Sequence, residues 1–253
     1  MVRITETRPG TPCWFEHGSA DPAAAQRYYG ELFGWRGETD PRPEAMCYTV
    51  MYQGEAPVAA VAPLVADGQP TAWSVSIAAE DVDAAAEAAR AGGGQVLAGP
   101  MEALDLGRFA VVADPAGAVF GLWHGRAFPG VALFAEPGAP GWIELATRDV
   151  AGAVGFYSDL FGWSVNPGEQ YTQWGLDGTD FGGVLDMGEQ FPADLPPYWM
   201  PYFAAADVDL AAERALGLGG DAVLPPTDVP DGPRLAVLKD PLGAVFGLYQ
   251  PEA

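Results

Sequence analysis

Two glutamates stand in matched settings, Trp14-Phe15-Glu16-His17 and Trp142-Ile143-Glu144-Leu145. In an extended strand, side chains two apart share a face, so each glutamate shares its face with a tryptophan. A carboxyl on an apolar concave face has its charged form disfavoured. Its pKa rises towards the range of a general base that moves a proton on a bound carbonyl or phenol. The structural alternative is a carboxylate paired to an arginine, with the repeat-matched Arg108 and Arg234 as candidates. Alternation adds neighbours to each face. The first set is Trp14, Glu16, Gly18, Ser74, Ser76, Val119, Gly121 and Trp123; the second is Trp142, Glu144, Ala146, Met200, Tyr202, Val245, Gly247 and Tyr249. Indole and phenol faces suit flat, apolar or cationic ligands. Gly121 and Gly247 either admit a ring to the backbone or allow close packing of sheet on sheet.

These residues repeat because the chain repeats. Gly10–Trp35 and Gly138–Trp163 align residue for residue and both end in Phe-Gly-Trp. Asp114-Pro115 with Gly117-Ala118-Val119-Phe120-Gly121-Leu122 returns as Asp240-Pro241 with Gly243-Ala244-Val245-Phe246-Gly247-Leu248. Two domains follow, 11–125 and 139–251, joined by a Gly/Pro-punctuated linker at 126–138. Asp21 with Pro22 opens a helix that Gly34 ends. Asp81 opens a second, ended at Gly92-Gly93-Gly94, and Asp149 and Asp207 open their counterparts. Strands are predicted at 14–20, 47–53, 57–63, 73–79, 108–113 and 118–123, with a tight turn at Asp114–Gly117. A strand, a helix and further strands thus occur four times: an α+β fold in which helices cover one face of a curved sheet and leave the other as a cup. Tyr28, Tyr29, Phe156 and Tyr157 fit the helix core.

Composition narrows the function. Twelve basic against 34 acidic residues leave a net charge of −22, which repels phosphate backbones and anionic lipid, so neither nucleic acid nor membrane is an expected partner. Cys13 and Cys47 are too few for a disulfide framework and read as free thiols of a reducing compartment. The stretch MVRITETRPG lacks the apolar core of a signal peptide, and no run approaches a membrane span; a cytoplasmic protein is expected. Serine-hydrolase, P-loop and dinucleotide-binding signatures are absent from the sequence.

The pattern D-x-x-x-A-x-x-F/Y-Y-x-x-L-F-G-W at Asp21–Trp35 and Asp149–Trp163, with D-P-x-G at Asp114 and Asp240, resembles the vicinal oxygen chelate superfamily of glyoxalase I, bleomycin-resistance proteins and extradiol dioxygenases. The resemblance covers nearly the whole chain. It implies tandem βαβββ modules and cup-shaped sheets, formed within each copy or by exchange between copies. Metal-using members carry ligands at positions that fall here on Trp14, Ser74 and Gly121, and on Trp142, Met200 and Gly247. Neither set suits zinc, iron, manganese or nickel, so no metal and no cofactor are expected. Of the two histidines, His17 falls on the helix-packing face and His124 faces outwards or into the linker.

The expected function is the binding of a small, planar organic molecule in one or both aromatic cups, by a monomer or homodimer. The alternative is an enzyme, a lyase, isomerase or hydroxylase/dioxygenase, with Glu16 or Glu144 as base or with an unrecognised metal site. A third reading leaves one domain with a purely structural role, since Ser74 and Ser76 are answered by Met200 and Tyr202.

Overall fold

A computed structural model describes residues 7–66, 68–168, 171–230 and 232–251. The first half runs β1 (Pro12–Ser19), α1 (Pro22–Phe33), β2 (Arg36–Thr39), β3 (Thr49–Gln53), β4 (Ala56–Pro63), β5 (Ala72–Ala78), α2 (Val82–Ala91), β6 (Gln95–Ala103), β7 (Gly107–Ala113) and β8 (Val119–Gly125). The second half repeats it as β9 (Pro140–Thr147), α3 (Val150–Phe161), β10 (Ser164–Pro167), β11 (Thr172–Leu176), β12 (Thr179–Asp186), β13 (Tyr198–Ala204), α4 (Val208–Gly217), β14 (Asp221–Asp228), β15 (Arg234–Lys239) and β16 (Val245–Tyr249). This is the α+β arrangement of two βαβββ modules per half. Among the described residues no helix is long and apolar enough to cross a membrane.

Helix ends follow the local chemistry. Asp21 accepts a hydrogen bond from the Ala24 N–H at 3.0 Å, and Asp149 one from Gly152 at 2.9 Å. Gly34 and Gly162 close those helices at φ 76° and 72°, a left-handed conformation that costs glycine little. Each half forms one eight-stranded sheet, in the orders β2-β3-β4-β1-β5-β8-β7-β6 and β10-β11-β12-β9-β13-β16-β15-β14. All eight strands of a sheet come from one half, so each cup forms within its own copy. The edge strands β2, β6, β10 and β14 were not among the predicted strands.

The halves meet through the opposite face of the sheets. Each D-P-x-G aspartate folds one carboxylate oxygen into its own turn: Asp114 Oδ1 accepts from Ala116, Gly117 and Ala118, and Asp240 Oδ1 from Leu242 and Ala244. The second oxygen reaches the other half. Tyr157 donates to Asp114 at 3.1 Å, and Tyr29 donates to Asp240 at 2.9 Å. Trp73 and Trp199 donate to those tyrosine oxygens at 2.8 and 2.9 Å. The Phe-Gly-Trp tryptophans also cross, Trp35 to the Gly138 carbonyl and Trp163 to that of Gly10. Around these bonds Tyr29, Phe203 and Phe246, and Tyr157 and Phe120, pack as a continuous aromatic core.

Candidate functional site

Strand register places the predicted residues on one face in each half. Glu16 lies opposite Ser74, Trp14 opposite Ser76, and Ser76 beside Gly121, with Trp123 beside Ala78. Likewise Glu144 lies opposite Met200, Trp142 opposite Tyr202, Tyr202 beside Gly247, and Tyr249 beside Ala204. The neighbouring parity turns towards the helices: the His17 ring packs edge-on to Tyr29 of α1 at 5.3 Å.

A tyrosine on the approach to the third strand organises each cup. Trp14 Nε1 donates to the Tyr48 oxygen at 2.6 Å, and Trp142 Nε1 donates to that of Tyr171 at 3.0 Å. Both tyrosines hydrogen-bond the glutamate of their own half. An indole N–H only donates, so each tyrosine spends its own proton on the carboxyl. Burial pushes Glu16 above its ordinary range, opposed by Tyr48 and by the nearby His17. It pushes Glu144 up to about 7, opposed by Tyr202 and Tyr171. Burial and the adjacent carboxyl hold Tyr48, Tyr171 and Tyr202 well above their usual range, so all three stay protonated donors.

The anticipated arginine partners are absent from both carboxyls. Arg108 pairs with Asp83 at 2.6 Å and Glu102 at 3.0 Å, and Arg234 with Asp209 at 2.6 Å and Asp228 at 2.9 Å. Arg108 and Arg234 stand on edge-proximal strands next to acidic neighbours, so the nearer surface charges take them.

The image of two similar open cups also needs correction. In the second half Glu144, Met200, Tyr202 and Gly247 are buried, with Tyr202 4% exposed. The Tyr202 ring lies on Gly247 so closely that a Cβ there would collide with its carbons, and its hydroxyl donates to Glu144 Oε1 at 3.1 Å. The ring that approaches this glycine is therefore the chain's own. In the first half Glu16, Ser74, Ser76, Gly121 and Trp123 are all half-buried and reach solvent. There the space that a Gly121 Cβ would take is filled by the Ser76 side chain, which stops at its hydroxyl where Tyr202 continues into a ring. Trp14 is less accessible than an open wall would be, because Phe128 packs edge-on to it at 4.6 Å. Trp123 Nε1 donates to the Phe128 carbonyl at 3.1 Å, which ties the segment after β8 across that end of the cup.

Neither donor set fits the metal of the superfamily. Trp14 and Trp142 offer N–H groups already donated to tyrosines, Gly121 and Gly247 offer no side chain, and Ser74 and Met200 offer a hydroxyl and a thioether. Among the described residues no three His, Cys, Asp or Glu side chains converge. His17 joins Asp240 at 2.7 Å in the seam, and His124 Nδ1 lies 3.2 Å from the Ala79 carbonyl oxygen. Tyr48, Tyr171 and Phe128 were not anticipated. The repeated Tyr-Thr pair at Tyr48-Thr49 and Tyr171-Thr172 is the sequence signal that marks the first two.

Comparison with known proteins agrees with this architecture. A glyoxalase-like domain model matches twice, over residues 14–123 and 142–249. The chain is 34% identical to CFP32 of Mycobacterium tuberculosis, a protein provisionally named a glyoxylase, with 99% of this chain and 98% of that protein aligned. It is 35% identical to the anthracycline biosynthesis protein DauV of Streptomyces sp. strain C5, over 98% and 95% of the two chains. Among solved structures, the 2,3-dioxygenase LapB of Pseudomonas sp. KL28 shares the fold at a TM-score of 0.70 and 10% identity, covering 98% of this chain and 94% of that one. The Mn(II)-bound glyoxalase of Novosphingobium aromaticivorans shares it at 0.67 and 19% identity, covering 99% and 83%. With its signature residues, its repeated sheets and both family-model matches in agreement, the chain belongs to the glyoxalase-like family, within the vicinal oxygen chelate superfamily.

Proposed function

We propose that the protein binds a small planar aromatic molecule in the N-terminal cup, anchored by Glu16 and without a metal. The observation that carries this reading is the solvent-reaching floor of Ser74, Ser76 and Gly121 beside Glu16 and Trp123, whose counterpart is filled by Met200 and Tyr202. The name of DauV supports it, since anthracyclines are flat fused-ring aromatics. Burying a ring of about 150 Å² yields about 4 kcal/mol at about 25 cal/mol per Å², before ordering costs. Micromolar affinity therefore needs the polar anchor as well.

The test fills the cup with the residues of its twin. Ser74→Met combined with Ser76→Tyr should weaken binding of an anthraquinone probe, read by tryptophan quenching, by about a hundredfold or more, with the circular dichroism spectrum retained. Unchanged affinity would overturn the reading. One tightly held metal equivalent, lost on Glu16→Ala, would overturn its metal-free part. The raised Glu16 carboxyl supports a second reading, a general base. Glu16→Gln keeps the shape and changes a binder's affinity by less than about tenfold, whereas a base-dependent conversion of the bound compound should slow by about a hundredfold or more.

A further inference from the structure

We infer that the ligand of the N-terminal cup is a phenol, its ring laid against Ser76 and its hydroxyl donated to Glu16. This rests on the aromatic-binding reading above and names the chemistry of its ligand. The C-terminal half carries the bound arrangement within its own chain. Tyr202 is a phenol whose ring lies on Gly247 and whose O–H donates to Glu144. Glu144 thereby receives two phenolic protons, one from Tyr171 and one from Tyr202.

The first half has the same relay, Trp14 to Tyr48 to Glu16, and the same glycine, Gly121. It lacks the second phenol, because Ser76 stands in register where Tyr202 stands. The Ser76 hydroxyl packs onto Gly121, and the Ser74 hydroxyl is directed to the Glu16 backbone carbonyl at 3.3 Å. The Glu16 carboxyl, itself enclosed, thus keeps acceptor capacity beside the half-buried Ser74 and Ser76. Ser76 fills the space that a Cβ of Gly121 would take and ends at a hydroxyl, so a flat ring fits beyond it where the rest of the Tyr202 ring stands in the second half, and one O–H donor fits a carboxyl that already has one phenolic partner. Ser74 in place of Met200 leaves room beyond a single ring, so a fused bicyclic or larger phenol is accommodated. No net proton transfer is needed: the ligand keeps its proton in the hydrogen bond.

Three probes of nearly equal shape separate the possibilities: 2-naphthol, 2-methoxynaphthalene and naphthalene, each titrated by tryptophan quenching. 2-Naphthol should bind tighter than its methyl ether by about tenfold to a hundredfold, the worth of one hydrogen bond to a charged group. That preference should disappear in Glu16→Leu. Equal binding of naphthol and ether by the wild-type protein overturns the phenol assignment and leaves the aromatic-binding reading standing. Binding of none of the three overturns both. A second variant does not depend on Glu16→Leu folding. Tyr202→Ser removes the internal phenol, and p-cresol should then raise the melting temperature where toluene does not. An equal rise with toluene, or none with p-cresol, overturns the premise that this position selects a phenol.

Discussion

The two halves share a skeleton, a strand order and a reciprocal seam, yet their concave faces have opposite fates. In the first, Ser74 and Ser76 leave Glu16 and Gly121 within reach of solvent. In the second, Met200 and Tyr202 turn the same surface into packed interior. The backbone does not distinguish them; two side chains on the fifth strand of each half do. Burying a carboxyl is costly unless its oxygens are satisfied, and Glu144 is tolerated because Tyr171 and Tyr202 both donate to it. The seam differs at one position too. His17 adds a second partner to the outward oxygen of Asp240, while Leu145 leaves Asp114 with Tyr157 alone. Burial pushes both aspartates up. His17 and Tyr29 more than offset this at Asp240, which stays below the usual range, whereas Asp114 stays above it.

The strongest way to break this comparison is Tyr202→Ser. It removes a buried ring and a hydrogen bond from Glu144, and should cost about 3–5 kcal/mol in urea unfolding. Ser76→Ala, at the register-matched position, should stay within about 0.5 kcal/mol. Equal losses would mean that the second cup is not packed interior.

A smaller effect comes from Glu144 itself. Its folded pKa of about 7 lies above the 4.5 of the free side chain, so between those values the native state binds more protons than the unfolded one. Stability should fall as pH rises from 4.5 to about 7 and be flat in this component above that. At about 1.4 kcal/mol per pK unit the change is about 3 kcal/mol. Glu144→Gln should remove that component, while Glu16, also raised, keeps its own. Parallel pH profiles for variant and wild type would show that Glu144 is not buried as described.

The smallest effect is expected at Arg108→Ala and Arg234→Ala. Both arginines join surface carboxylates, so each change should move the melting temperature by no more than about 3 °C, equally in the two halves, and leave ligand binding untouched. A loss of affinity on Arg108→Ala would restore the arginine–Glu16 pairing that the geometry denies.

Most of the frame was legible because it is written in local rules. Asp21 and Gly34 bound a helix by capping, and period-two alternation sorted Trp14 and Glu16 from Phe15 and His17. The edge strands escaped for equally physical reasons. Arg36–Thr39 is exposed at every position, and β6 and β14 contain prolines, which speak against a strand until pairing to β7 and β15 supplies one. Which cup would close was not legible. It depends on how far the Tyr202 ring reaches over Gly247, a contact between residues 45 apart in the chain whose significance appears only once β13 and β16 are neighbours. The partner of His17, Asp240, lies 223 residues away, beyond any local signal.

The crossed seam has a consequence for inheritance. Each half contributes a tyrosine to the other's turn and a tryptophan to the strand-leading segment of the other. After a gene duplicates, a spare copy is ordinarily free to decay. Here neither copy can be deleted without stripping its twin of buried hydrogen bonds, so selection holds the second for its fold while its concave face drifts. A cup filled by Met200 and Tyr202 then persists as structural support for the half whose concave face reaches solvent.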